Sequence, residues 1–394
     1  MRRRDIRETT RARATSHEGA GAGVVWAGAQ RADAASGVLL VGLALIAVSA
    51  AAGCRSGGAQ DRVGVGGMPG LGDGGGGASA ATGGHDGVGP SGMPVPPGGA
   101  VPRPAGPAGN LTVLDWAGFK AAVSYTFDDA NSSQLAHYTE LQALGVRMTF
   151  YLITGKTEAS DPTWAQAVRD GHELGNHSKS HLNAGTGADV DAATDFLAQT
   201  FGVTAWTMAS PFGDPSYPPL AATRFLINRG VVNGLMAAND NTDPFNLSCY
   251  IPPQGAAAAA FNAQIDAAHD AGRWRVVLVH GFIGGTDGAY LPVSIDEFTA
   301  SVNHTKASGD VWIDSVVNVG AYWRGQKVFS SVTPVTAGGA QTWTWTLPAH
   351  FPPRRFLRVR IDGGSLTQGG TPLPWDDHGY YEVALDAGSL TLSP

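Results

Sequence analysis

Along residues 111–325 the apolar positions alternate between two patterns. Short runs that are apolar on both faces, as in 120–127 and 274–279, have the signature of buried strands. Between them lie stretches with apolar residues three or four apart and helix signals at their ends. Strands are expected at 120–127, 147–153, 173–176, 203–209, 231–235, 274–279 and 310–313. Helices are expected at 132–144, from Asp161-Pro162 to Gly171, and at 189–200, 219–229, 256–271, 294–308 and 315–323. Asp161 is placed as a cap with proline at the first helical position, and Ser294 with Glu297 reads as a capping box. Seven strand–helix units imply a parallel α/β architecture, either a barrel or a doubly wound open sheet.

The pattern changes at both ends. Residues 326–394 alternate short strand-like segments (341–347, 356–361, 380–385, 389–392) with Gly363-Gly364 and Gly369-Gly370 turns, as in a small β-sandwich module. Trp343, Trp345, Trp375, Tyr380 and Tyr381 either fill its core or stack on sugar rings. Residues 34–54 carry no charge, and the apolar centre, 38–48, is short for a membrane span and right for a signal-peptide core. Seven arginines precede it and Ala50-Ala51-Ala52-Gly53 leads to Cys54. This stretch, 1–54, resembles a bacterial lipoprotein signal, with Ala51 where such signals usually carry Leu. It implies lipidation at Cys54 and an exported chain, anchored to an envelope membrane or secreted. Residues 55–110, with 20 Gly and 8 Pro, read as a disordered tether.

Composition narrows the function. A net charge of -7 argues against a nucleic-acid partner. Two cysteines exclude a disulfide framework and any multi-cysteine zinc site, and leave Cys249 as a buried, inert thiol. No G-x-S-x-G occurs, which removes the usual serine hydrolase signature.

Four polar clusters fall at the C-terminal ends of the expected strands, where parallel α/β domains build their sites. Asp128 and Asp129 close the first strand. Two adjacent carboxylates there need a cation or hydrogen bonds, or else cap the following helix. His177 and His181, at i and i+4, would share one face of a helical turn and suit a single ion. Ser210-Pro211-Phe212-Gly213 is a rigid turn able to aim an amide and a ring into a cleft. His280 leaves the most hydrophobic strand, as an acid–base group would. Together these residues make a one-metal hydrolytic site. Asp129, His177 and His181 are its ligands, Asp128 its base and His280 its acid.

In this arrangement the sequence resembles the polysaccharide deacetylase family, with its NodB-homology domain, also called carbohydrate esterase family four. The matching residues are Thr126-Phe127-Asp128-Asp129, His177-Ser178-Lys179-Ser180-His181 and Leu278-Val279-His280. The resemblance implies an irregular (β/α)7-8 TIM-like barrel over 111–325, followed by the all-β module of 326–394. It implies a divalent metal, zinc or else cobalt or nickel, and hydrolysis of acetyl groups from a polysaccharide or oligosaccharide, most often N-acetylglucosamine units. Pro211 and Phe212 would contact substrate, and the Phe212 amide would help hold the oxyanion. The family's third motif begins with an arginine that pairs with the base, and here Ala209 stands in that place; Lys179 and Arg224 are the substitutes considered. The fourth motif, which orients the acid histidine, has only Asp240 and Asp243 in its interval. These two departures admit an alternative, a non-catalytic carbohydrate-binding lipoprotein on the same scaffold. Amide and ester (xylan-type) substrates are not separated by these residues.

Overall fold

The structure is a computed structural model, and it describes residue 89 and residues 91–394. Cys54, the apolar segment before it and most of the glycine-rich stretch lie outside the described residues. The first elements are β1 (Leu111–Val113), β2 (Ala121–Asp128), α1 (Ser132–Ala136), α2 (Tyr138–Ala143), β3 (Thr149–Leu152), α3 (Pro162–Arg169) and β4 (Glu173–Asn176). Then come α4 (Gly187–Phe201), β5 (Thr207–Ala209), α5 (Tyr217–Ala222), β6 (Ile227–Arg229), α6 (Ala258–Ala271) and β7 (Trp274–Val279). They are followed by α7 (Ile295–Ala307), β8 (Val311–Ile313), α8 (Val316–Ser330), β9 (Val335–Ala337) and β10 (Ala340–Thr344). The chain ends with β11 (Phe356–Ile361), β12 (Ser365–Gln368), β13 (Thr371–Pro372), β14 (Tyr381–Ala384) and β15 (Ser389–Ser393).

Strands β2–β8 form one parallel seven-stranded sheet in the order β6-β5-β4-β3-β2-β7, with β8 beside the first residues of β2. The fully buried β2 is its centre. Val123, Tyr125 and Phe127 belong to the core under the outer helices, and the rings of the latter two lie 5.4 Å from Phe298 of α7. The alternate residues face inward, as the two-residue period of a strand requires. Ser124 there accepts the Trp274 indole N–H at 3.1 Å. Helix α8 covers this inner face and so turns an open half-barrel into a closed core. The approach is close enough that a Cβ on Gly320 would lie 2.1 Å from Ile227.

Gly175 is a similar contact within the sheet. A Cβ there would sit 2.4 Å from the ring of the fully buried Tyr151. Gly175→Ala is expected to destabilise the protein by about 1–3 kcal/mol, read as a lower urea midpoint. An unchanged midpoint would mean that Tyr151 is free to move.

Several local expectations need correction. The helix expected at 132–144 is broken at His137 into α1 and α2. The helix expected to run to Arg229 stops at Ala222, and Ile227–Arg229 pair with Thr207–Ala209 instead. Residues 231–235, expected as a strand, are irregular and expose Val232. The capping box does not close. Ser294 accepts from the Asp296 amide at 3.2 Å, while Glu297 accepts from the Ala258 amide at 2.6 Å. Glu297 thus caps α6, whose own N-cap is an alanine with no side-chain acceptor.

The C-terminal strands form two antiparallel sheets, β1-β11-β14 and β13-β12-β15-β10-β9. The Gly363-Gly364 and Gly369-Gly370 turns flank β12. Trp343, Trp345, Tyr380 and Tyr381 are buried, the two tryptophans against Phe329 of α8, and Trp375 donates to the Val101 carbonyl. These aromatic residues therefore pack the interior rather than offer a sugar platform. Residues 91–110, expected in the tether, run along this module. Ser91 bonds Glu382, and the buried Arg358 donates to the Pro94 carbonyl at 2.7 Å. The expected boundary at 111 falls beside β1, which is an edge strand of the module's own sheet.

Candidate active site

The sheet sets out the site by bringing four strand ends together. β2 delivers Asp128 and Asp129, β4 leads into His177, β5 into Pro211-Phe212, and β7 into His280. All six residues fall at one cavity of about 410 Å³ except Pro211, which sits buried behind Phe212. The turns leaving these strands are strained: Asp129, Ala130, Ser178, His181 and Phe212 all have positive φ, between 52° and 79°. Such backbone is rare for residues with a side chain and tends to gather at functional sites.

His177 and His181 do not share a helical turn. They lie in a loop after β4. Asn176 braces that loop, accepting from the Ser178 amide at 2.8 Å and donating to the Val190 carbonyl at 2.9 Å. Ser178 in turn accepts from the His181 amide at 2.9 Å. The rings still converge, with centroids 4.8 Å apart. The Nδ1 of His177 lies 2.8 Å from the Ala209 carbonyl, so it carries the proton and its Nε2 faces the cavity. That Nε2 is 3.4 Å from Asp129 Oδ1, and the Nε2 of His181 is 3.7 Å from the same oxygen. Asp129 Oδ1 is buried and has no hydrogen-bond partner. One carboxylate oxygen and two imidazole nitrogens within 4.8 Å, with the oxygen orphaned, fit a single divalent cation.

The electrostatics agree with the geometry. Burial works against charge on Asp129, but the neighbouring His177, His280 and His181 rings bring it well below the usual carboxylate range. Burial likewise opposes charge on His177, and the Asp128 and Asp129 carboxylates overcome it and raise its pKa. His181 is pushed down to about 4, by burial first and by His177 second. Burial also lowers His280, against the pull of the two aspartates.

The arginine absent from position 209 is supplied by the next strand. Arg229, the last residue of β6, is fully buried and donates through Nη2 to Asp128 Oδ2. Its guanidinium lies 5.6 Å from the Tyr151 ring centre, and its Nη1 donates to the Gly230 carbonyl at 3.1 Å. Lys179 is exposed, and Arg224 pairs with Asp191 at the surface, so neither serves this role. The available signal was an arginine at the end of the expected 219–229 helix, between two apolar runs, Phe225–Ile227 and Val231-Val232.

Asp240 and Asp243 are also elsewhere. Asp240 accepts from the Ala237 and Thr242 amides and from Lys327, and Asp243 from the Phe245 amide. The Nδ1 of His280 is buried and has no hydrogen-bond partner. The backbone of His280 is held instead: its carbonyl accepts from Asn131 Nδ2 at 2.7 Å and Gln134 Nε2 at 2.8 Å. The Tyr290 ring stands edge-on to His280 at 5.2 Å, and the exposed Phe212 ring leans on His181 at 4.3 Å. Cys249 is a buried free thiol, pushed up to about 11 by burial.

The parallel half-barrel thus brings together an Asp–His–His set that could hold a cation and a charge-paired aspartate. Residues 118–226 match the family described as polysaccharide deacetylase. The match covers Asp128, Asp129, His177, His181 and Phe212, and stops before Arg229 and His280. A gellan lyase from Bacillus sp. is 31% identical over 148 residues, 35% of this chain and 6% of that protein. Among solved structures, a putative polysaccharide deacetylase from Mycobacterium smegmatis has 18% identity and a TM-score of 0.40, covering 59% of this chain and 98% of its own. A family 4 acetyl xylan esterase from Clostridium thermocellum, in complex with cobalt, has 16% identity and a TM-score of 0.34, covering 50% and 89%. The peptidoglycan deacetylase PdaC from Bacillus subtilis has 15% identity and a TM-score of 0.34, covering 50% and 89%.

Proposed function

We propose that the protein removes acetyl groups from a carbohydrate polymer or oligomer, in the first place the N-acetyl group of N-acetylglucosamine units. The observation that carries this reading is the meeting of three parts in one cavity: the Asp128–Arg229 pair, the Asp129, His177 and His181 donor set, and His280. Asp129, His177 and His181 would hold zinc, or cobalt or nickel, which their oxygen and nitrogen donors suit equally. Such an ion supplies Lewis acidity to the water and to the acyl oxygen.

The chain's own groups do the rest. Arg229 holds Asp128 Oδ2 in a charge-assisted hydrogen bond, and the other carboxylate oxygen, without a hydrogen-bond partner among the described residues, takes a proton from water. The new C–O bond forms as water attacks the acetyl carbon. The C–N bond then breaks, with His280 giving its proton to the leaving nitrogen. The Phe212 amide contributes to holding the oxyanion, and Pro211 and the exposed Phe212 ring border the substrate. The cavity wall beyond the polar groups is apolar, with Val231, Ile251, Leu278 and Tyr290, and suits an acetyl methyl. With Arg229 in place of the missing arginine, one of the two features favouring a non-catalytic binder is gone. The signal-like stretch of residues 34–54 supports an enzyme outside the cytoplasm, tethered through Cys54.

The test is acetate release by the full chain from N-acetylglucosamine oligomers and from acetylated xylan, before and after chelation and zinc return. Release that needs metal is expected, and the preferred substrate separates amide from ester hydrolysis. Zinc bound at one equivalent with no release from either polymer would favour the binding module. No zinc binding would remove the assigned ligand set.

A further inference from the structure

A second cavity, of about 120 Å³, lies where the parallel sheet meets the β-module and shares no lining residue with the first. Three arginines line it from two parts of the chain: Arg147 ahead of β3, and Arg354 and Arg355 ahead of β11. A single carboxylate, Asp314, is among the lining residues. Its bonding capacity is spent. One oxygen accepts from Arg147 Nη2 at 2.6 Å and Trp312 Nε1 at 3.1 Å. The other accepts from the Ser315 amide at 2.8 Å and Asn318 Nδ2 at 2.7 Å.

Among the described residues the remaining positive charge has no salt-bridge partner of its own. Arg355 donates through Nη1 to Asn318 Oδ1, a neutral acceptor, at 2.6 Å. The Nε atoms of Arg147 and Arg355 are both buried without a hydrogen-bond partner. Glu173, the nearest other acid to influence Arg355, is tied to Thr149, Thr207 and the Val317 amide. Glu382 is tied to Ser91 and Arg358. Asp386 accepts from the backbone amide of Arg354, which is itself held at φ 55°. Buried guanidinium donors without acceptors are costly unless an anion or water completes them. A fixed fork of N–H donors matches planar and tetrahedral oxyanions.

We infer that this cavity is a binding site for a small oxyanion, a phosphate or carboxylate group gripped by Arg147, Arg354 and Arg355. A cavity of about 120 Å³ is large enough to admit one such group. The group is either free in solution or carried on an anionic polymer. A hydrolase whose overall charge is -7 thus keeps a cationic notch apart from its reaction site.

The test is calorimetric titration of the full chain, stripped of metal by chelator, with inorganic phosphate, with acetate and with an oligogalacturonate. Saturable one-to-one binding of at least one of them is expected. It should weaken ~10-fold or more in Arg355→Met and in Arg354→Ala and stay unchanged in Asp129→Ala. The exposed Arg354 can be replaced without threat to folding, so the test survives if Arg355→Met is unstable. Oligomer binding ~10-fold tighter than either free ion assigns the site to a polymer, and equal binding to a free ion. No saturable binding, or binding that survives both arginine replacements, overturns the inference. Loss of binding in Asp129→Ala would assign the anion to the metal-ligand cavity and equally overturn it.

Discussion

Arg229→Met will unfold the protein more easily, by about 3–5 kcal/mol, because it strands a buried carboxylate. Arg229 is fully buried and Asp128 is 2% exposed, so water cannot take over the lost charge. The loss should be partly recovered in Asp128→Asn/Arg229→Met, where no buried charge remains. A double-mutant cycle by urea denaturation should therefore give a coupling of about 0.5–3 kcal/mol between the two sites. Additive effects would show that the pair does not interact as placed. The same single variant should lose acetyl hydrolysis, because Asp128 loses the donor that holds its carboxylate at the cavity.

The second large effect is expected of Asp128→Asn. Asparagine keeps an oxygen for the Arg229 donor, so the fold and the Asp129, His177 and His181 donor set should persist. The ability to take a proton from water is gone. The rate should fall by about 10²–10⁴, the usual worth of a positioned general base, with zinc stoichiometry and thermal midpoint near those of the parent. A fall confined to KM, or loss of zinc together with rate, would take the base role away from Asp128.

Most of this site was legible in the sequence because its groups sit next to unmistakable elements. The runs that become β2 and β7 are apolar on both faces, so their ends, Asp128 and His280, could be placed without a structure. His177 and His181 were found by spacing, although the turn that joins them is not helical. What fixes them is left-handed backbone at Ser178 and His181, which no periodicity records. Arg229 was missed because β6 is three residues long and follows a helix with no glycine between them. Its polar residues, Asn228 and Arg229, are fully buried, so the strand lacks the apolar signature of its neighbours. Glu297 and Asp240 failed for a related reason. Glu297, expected to close the α7 capping box, takes the amide of Ala258, and Asp240, a candidate to orient His280, takes the amine of Lys327 and the amides of Ala237 and Thr242.

The seam between residues 91–113 and the β-module also sets an order of events during synthesis. The Arg358 bond to the Pro94 carbonyl closes a loop of 264 positions, and β1 finds its partner only in β11. Loop closure over such distances is slow and is rewarded late. The segment ahead of the barrel must therefore wait, unpaired, until Arg358 and β11 are available to it. The sheet that carries the aspartates and histidines can assemble first, and the two ends then lock over α8 as the final step. A chain truncated within the module would leave that helix uncovered, with Tyr322 and Phe329 turned from interior into surface.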